Sequence, residues 1–167
     1  MAEHNWTRAH AGLFDVSHMG PSFLTLPELG GGDEAHRKVA VIVEKLVPSD
    51  IAGLTPGKVQ LTVLLNEDGG IVDDLMIGRP ADPTRQGMLY IVVNAGTKDN
   101  DFALIQKTAG SEAELRRADD RALIALQGPE AEAVIASIIP EAVALTFMHF
   151  VRAEHPEFGR IMATRCG

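Results

Sequence analysis

Lys58-Val59-Gln60-Leu61-Thr62-Val63-Leu64-Leu65-Asn66-Glu67-Asp68-Gly69-Gly70-Ile71-Val72-Asp73-Asp74-Leu75-Met76-Ile77-Gly78 is the stretch whose reading decides the fold. Residues 58–65 and 71–78 are aliphatic and β-branched, and Asn66 to Gly70 between them are turn formers. So short a connection joins antiparallel neighbours; a parallel crossover needs about a dozen residues or more. The segment therefore predicts a hairpin. Successive strand residues point to opposite faces. Ile71, Asp73, Leu75 and Ile77 share one face, and Val72, Asp74 and Met76 share the other. Apolar neighbours on both faces predict a strand buried on both sides.

Outward from the hairpin, Leu54-Thr55-Pro56-Gly57 reads as a turn, and Pro80 to Gly87 as a polar loop. Met88-Leu89-Tyr90-Ile91-Val92-Val93 is the clearest buried strand. Toward the N-terminus, residues 3–12 predict a short helix ending near Gly12. A strand region follows from Leu13 to Gly20 and continues through Phe23-Leu24-Thr25-Leu26. Gly30-Gly31-Gly32 is a loop, and it matches neither a phosphate-binding loop nor a dinucleotide fingerprint. Asp33 is the expected cap of the next helix, whose Ala35, Val39, Ile42, Val43 and Leu46 fall on one face; Pro48 marks its end. Toward the C-terminus, Thr97 is the expected cap of a helix that buries Phe102 and Ile105. Ala122-Leu123-Ile124-Ala125-Leu126 reads as a strand. Gln127-Gly128-Pro129 then opens a helix carrying Ala131, Val134, Ile135 and Ile138. Residues 145–151 and 160–165 read as closing strands. Hairpin-linked strands with three to four helices predict an α+β fold with a mainly antiparallel sheet.

The chain of 167 residues has the length of one domain with a sizeable core, and its 46% apolar and 23% charged residues are those of an ordinary globular protein. A net charge of −8 argues against nucleic acid as a partner. No apolar run approaches the roughly 20 residues of a membrane span, and Met1 to Trp6 lack a signal-peptide pattern, so the expected location is the cytoplasm, without a membrane partner. The one cysteine, Cys166, excludes a disulfide framework within the chain.

Asp73 and Asp74 are the first candidates for chemistry. A carboxylate in a buried strand costs free energy unless it is paired or hydrogen-bonded. Two in succession form a local inconsistency of the kind found at functional sites. Ligand-facing carboxylates and strand-end side chains bonded to backbone donors are both consistent with the pattern. Asn94 ends the buried strand, where an amide can meet a ligand, but Asn94-Ala95-Gly96 also reads as a plain turn. Asp15, Ser17 and His18 lie too close together for a hydrolase triad, and no Gly-x-Ser-x-Gly elbow occurs. The six histidines show no paired metal-ligand spacing.

Four segments resemble the glycine-cleavage T-protein family, the aminomethyltransferases. Gly12-Leu13-Phe14-Asp15-Val16-Ser17-His18-Met19-Gly20 resembles the family's N-terminal signature. Leu65 to Leu75 resembles its folate-site hairpin. Val92-Val93-Asn94-Ala95 and Ala125-Leu126-Gln127-Gly128-Pro129 resemble two further segments, in the family's order. The resemblance implies a folate-binding domain of the aminomethyltransferase type, with tetrahydrofolate as co-substrate. It also implies the lipoylated H-protein of the glycine cleavage system as partner and donor of the aminomethyl group, with ammonia released. It selects Asp74 as the catalytic carboxylate at the pterin, Asn94 as a folate-binding amide and Met19 as a lining residue of the folate cavity.

The departures from the family are equally specific. Its members run to more than twice this length. Arg165-Cys166-Gly167 resembles the opening of a family segment Arg-Thr-Gly-Tyr-Thr-Gly-Glu, with Cys in place of Thr. Leu61 stands where many members carry a tyrosine. Residues 1–167 are thus expected to be an incomplete folate-binding domain, without its C-terminal part or the C-terminal barrel, and with a complementing C-terminal polypeptide as a further partner. Two other systems share the implied chemistry: folate-dependent sarcosine or dimethylglycine demethylation, and non-catalytic folate-binding assembly modules. The missing dinucleotide fingerprint argues against the first, and the Asp15-to-Gly20 segment against the second.

Overall fold

The computed structural model describes residues 1–167. The chain divides into two compact units: His18–Arg121, and Met1–Ser17 together with Ala122–Gly167. No helix is long and apolar enough to cross a membrane.

The unit 18–121 is built on a five-stranded antiparallel sheet. Its strands are β2 (Gly20–Thr25), β3 (Val59–Leu65), β4 (Ile71–Gly78), β5 (Met88–Val93) and β6 (Glu114–Arg117), in the order β3-β4-β5-β2-β6. The predicted hairpin is present as β3–β4. Asn66 closes its turn: Oδ1 accepts from the backbone N–H of Asp68 and Gly70, and Gly69 takes φ +77, a conformation glycine adopts without steric cost. Two helices, α2 (Gly32–Val43) and α3 (Lys98–Ala109), pack against the sheet, and Leu46, Val47, Ile51, Leu54 and Ala113 from the connections complete the core. Val39, Ile42 and Val43 of α2 and Phe102, Ile105 and Ala109 of α3 cluster with Leu24, Leu64, Leu75, Ile77, Leu89, Ile91 and Val93 of the sheet. At Gly20, β2 lies close against α3 and β5. A Cβ there would lie 2.6 Å from Val93 Cγ2 and 2.7 Å from Phe102 Cζ.

The other unit holds α1 (Ala2–Ala9), β1 (Gly12–Asp15), β7 (Ile124–Gln127), α4 (Ala131–Ala136), a 3-10 turn at Pro140–Ala144, and the hairpin β8 (His149–His155) and β9 (Gly159–Arg165). β1 pairs with β7 and β8 with β9, both antiparallel. The α+β class with mainly antiparallel sheets is therefore the observed one.

Several local expectations give way. The strand region from Leu13 to Leu26 is two strands, because the Asp15 carboxylate accepts the Ser17 N–H (2.9 Å) and turns the chain there. Asp33 does not cap α2; Gly31 holds that position, and the Asp33 carboxylate accepts from Arg79 Nη2 at 2.6 Å. Nor does Thr97 cap α3 through its side chain, which is engaged elsewhere. Pro129 lies in a turn ahead of α4. β6 was not expected: Glu-Leu-Arg-Arg carries little apolar signal, and its one interior residue, Leu115, packs against a core supplied by distant segments. The largest correction concerns β4. Leu75 and Ile77 are buried, but Val72 and Asp74 are exposed, so only the second half of the strand is enclosed. The helices cover one sheet face and leave the other open along this part of the hairpin.

Candidate functional site

The register of the hairpin sorts the two aspartates. Asp73 lies opposite Leu64 and next to Leu75, on the helix-covered face; Asp74 lies opposite Val63, beside the Leu61–Met76 pair, on the open face. A register irregularity between Leu64 and Leu65 sets this alignment. On the open face Leu61 is 58% and Val72 39% exposed. Asp74 is thus a single carboxylate on an accessible apolar surface.

Asn94 leaves the end of β5 and ties the two aspartates together. Its Nδ2 donates to Asp73 Oδ1 (2.9 Å), Asp74 Oδ1 (3.1 Å) and the Asp74 carbonyl (3.2 Å). Those amide hydrogens are committed within the cluster, so Oδ1, an acceptor, is the atom Asn94 has left to offer. Asp73 is the hub: it also accepts from Thr97 Oγ1 and from the Asp74 backbone N–H (2.9 Å). Burial by itself would raise the Asp73 pKa. The hydrogen bonds from Thr97, Asn94 and the Asp74 N–H, with the Asp101 carboxyl nearby, outweigh it and hold the carboxyl below its ordinary value.

Beneath the hub lies Asp101 of α3, fully buried, with neither carboxyl oxygen meeting a donor. Burial is the main cause that pushes its pKa up to about 6. The Thr97 hydroxyl nearby opposes the rise, and the neighbouring Asp73 carboxylate adds to it. The site therefore has two levels. Asp74 and Asn94 stand at the surface, and the Asp73–Thr97–Asp101 group below holds them.

The residues singled out from sequence are placed unequally. Asp74 and Asn94 are in direct contact. Met19 is half-buried in the turn before β2, whose Gly20 pairs with Val93; this register sets Met19 at the end of the sheet where Asn94 begins. Asp15, Ser17 and His18 form no catalytic grouping. Ser17 Oγ is bonded to the Leu123 backbone, and the His18 carbonyl accepts from Lys98 Nζ (3.3 Å). No group of three or more His, Cys, Asp or Glu side chains is arranged to hold a metal ion. Sequence reasoning missed Thr97 as a site residue and overlooked Asp101 altogether. The signal for Asp101 was present: Asp101, Ile105 and Ala109 recur every four residues, which puts a carboxylate on the buried stripe of α3.

Fold and site together define a class: an α+β domain whose antiparallel sheet presents a carboxylate–amide pair on an open apolar face. All of residues 1–167 match the family model described as the GCVT N-terminal domain, and the chain belongs to that family. It is 36% identical over 171 residues to an aminomethyltransferase of Chlorobium phaeovibrioides, covering 100% of this chain and 43% of that protein. It is likewise 36% identical over 159 residues to a probable mitochondrial aminomethyltransferase of Schizosaccharomyces pombe, covering 94% of this chain and 37% of the relative. Among solved structures, the glycine cleavage system aminomethyltransferase T from Bartonella henselae superposes with a TM-score of 0.76 at 38% identity, over 89% of this chain and 37% of that one. The chain spans about two fifths of the length of the curated relatives it matches.

Proposed function

We infer that this chain supplies the folate-holding carboxylate of a glycine-cleavage aminomethyltransferase, and that residues 1–167 are the first part of its folate-binding domain. In the reaction this implies, the lipoylated H-protein delivers an aminomethyl group on sulfur, and tetrahydrofolate accepts the methylene carbon between two of its nitrogens. The C–S and C–N bonds break as two C–N bonds to the folate form. The two folate N–H protons leave with the products, a thiol and ammonia.

The observation that carries this reading is the Asp74–Asn94 contact on the open sheet face. A pterin is a flat ring with N–H donors at its edge. Exposed Leu61 and Val72 offer apolar surface to the ring, and the Asp74 carboxylate offers an acceptor to its N–H groups. Asp74 is also placed to stabilise positive charge that develops on the folate nitrogen during carbon transfer, because the carboxylate is held in position beforehand by Asn94. Met19 lines the same end of the sheet. Family membership supports the choice of folate, H-protein and reaction. The remainder of the site is assigned to the part of the relatives that this chain does not span, in the same protein or on a complementing polypeptide.

Calorimetric titration with tetrahydrofolate tests the site. A charge-assisted hydrogen bond contributes about 1.5–3 kcal/mol, so Asp74→Ala is expected to weaken binding roughly 10- to 100-fold. Equal affinities for the wild type and Asp74→Ala would remove Asp74 from the site.

A further inference from the structure

Asp101 is a buried carboxyl group that neither the fold nor the proposed chemistry requires. It is 0% exposed, neither of its oxygens has a hydrogen-bond partner, and the Asp73 carboxylate is the charged group that acts on it. Two acceptor-only groups in such contact cannot both be ionised without repulsion in a dry setting; a proton placed between them turns one into a donor. Asp73 already receives hydrogens from Thr97, Asn94 and the Asp74 backbone, so it is the natural anion of the pair, and Asp101 is the acid.

We propose that Asp101 is a positioning residue for folate binding: its carboxylic acid donates to Asp73, and this shared proton keeps Asp73 in the place where it holds Asn94, and through Asn94 the Asp74 carboxylate. Loss of the proton sets two anions against each other. Asp73 then turns from Asn94, and the ligand-facing pair loses its support. The affinity of the site for folate therefore falls as Asp101 ionises. This inference rests on the folate reading for its binding consequence, but not for the shared proton itself.

The charges around Asp101 leave Asp73 as its counterpart. β2 and β3 carry no charged residue, and β5 none but the Tyr90 phenol. On β4 the groups are Asp73 and Asp74. On α3, Lys98 reaches the His18 carbonyl, Asp99 is bonded to Arg117 (2.7 Å), and Lys107 lies 4.0 Å from Glu67. On β6, Arg117 is held by Asp99 and Asp119, Arg116 lies over the Phe23 ring, and Glu114 is exposed. α2 carries its charges in its first two turns: Asp33 is paired with Arg79 and Glu34 with Lys38, His36 is bonded to the Ile51 carbonyl, and Arg37 is exposed. Asp73 is accordingly the charged group that acts on Asp101.

The test uses the whole chain in two arms. In the first, the side-chain NH2 resonances of Asn94 are followed by NMR from pH 5 to 8 without ligand. They are expected to titrate with a midpoint near 6 in the wild type, and to stay flat in Asp101→Asn, whose amide donates to Asp73 at every pH. In the second, tetrahydrofolate is titrated calorimetrically at pH 5.5 and 7.5. One linked proton with that midpoint predicts an affinity loss on the order of 20-fold for the wild type. Asp101→Asn is expected to give equal affinities at the two pH values. Asp101→Leu, which fills the space without a donor, is expected to bind weakly at both. A purely structural role would not remove the pH dependence in the asparagine variant alone. Asn94 resonances that do not move, or that move alike in wild type and Asp101→Asn, would overturn the proposal. Absence of tetrahydrofolate binding by the wild type at both pH values counts against the folate reading, while the ligand-free titration decides the role of Asp101 by itself.

Discussion

Asp101→Asn should make the protein more stable in neutral solution, although it does no more than exchange a titratable carboxyl for an amide of the same shape. Asp101 is fully buried and its pKa rises from 3.8 to about 6 on folding. Here the folded value lies above the unfolded one, so the fold binds the proton more tightly than the open chain does. The contribution of Asp101 to stability is then greatest below about 3.8, where it is protonated in both states. It declines as pH rises toward 6, and above that it remains at its lower level. At about 1.4 kcal/mol for each factor of ten, the rise corresponds to about 3 kcal/mol lost by the wild type across that window. Asparagine keeps the size of the side chain and a donor for Asp73, but has no proton to lose. Apart from Asp73, whose proton binding is coupled to Asp101, the carboxylates titrate alike in both proteins and cancel in the comparison. Urea unfolding at a series of pH values from 3.5 to 8 should therefore show the difference between Asp101→Asn and wild type growing by about 3 kcal/mol in favour of the variant. For a chain of this length that is a gain of roughly 6–12 °C in Tm at the alkaline end relative to the acid end. A difference that stays constant across the range would show that Asp101 titrates in the fold as it does in water, and the reasoning from its burial would be wrong.

Two further predictions concern stability. Arg79 is buried, and its guanidinium donates to the Leu54 carbonyl (2.7 Å), Gln86 Oε1 (2.6 Å) and Asp33 Oδ1 (2.6 Å). Arg79→Met keeps the packing but strands the first two acceptors, and should cost about 2–4 kcal/mol in urea unfolding; a loss below about 1 kcal/mol would mean that water replaces the guanidinium freely. Gly128 has φ +111, and a Cβ there would run into the His10 and Thr7 carbonyls. Gly128→Ala should lower stability by at least ~2 kcal/mol, because both the backbone conformation and the space forbid the methyl group. Thermal unfolding unchanged by that substitution would contradict the close approach.

The hairpin, the buried strand β5 and the apolar stripes of α2 and α3 were legible in the sequence, because periodicity and turn chemistry are local properties. Segment resemblance pointed to the family, and the match over residues 1–167 shows it. Periodicity also put Asp73 and Asp74 on opposite faces. It could not say which face the helices cover, since Leu75 and Met76 are equally apolar to a one-dimensional reading; the covering of one face by α2 and α3 sent Asp73 inward and left Asp74 exposed. Thr97 looked like a cap because threonine often is one, yet its hydroxyl found a carboxylate on a strand more than twenty residues away. Asp101 sat on a stripe that should have been apolar, and only the strand packed against that stripe explains it. The sequence by itself thus determined most of the elements, the β3–β4 hairpin and the family. The tertiary structure decided which aspartate stands on the open face and which lies against a second acid, because that depends on what packs against each face of the sheet.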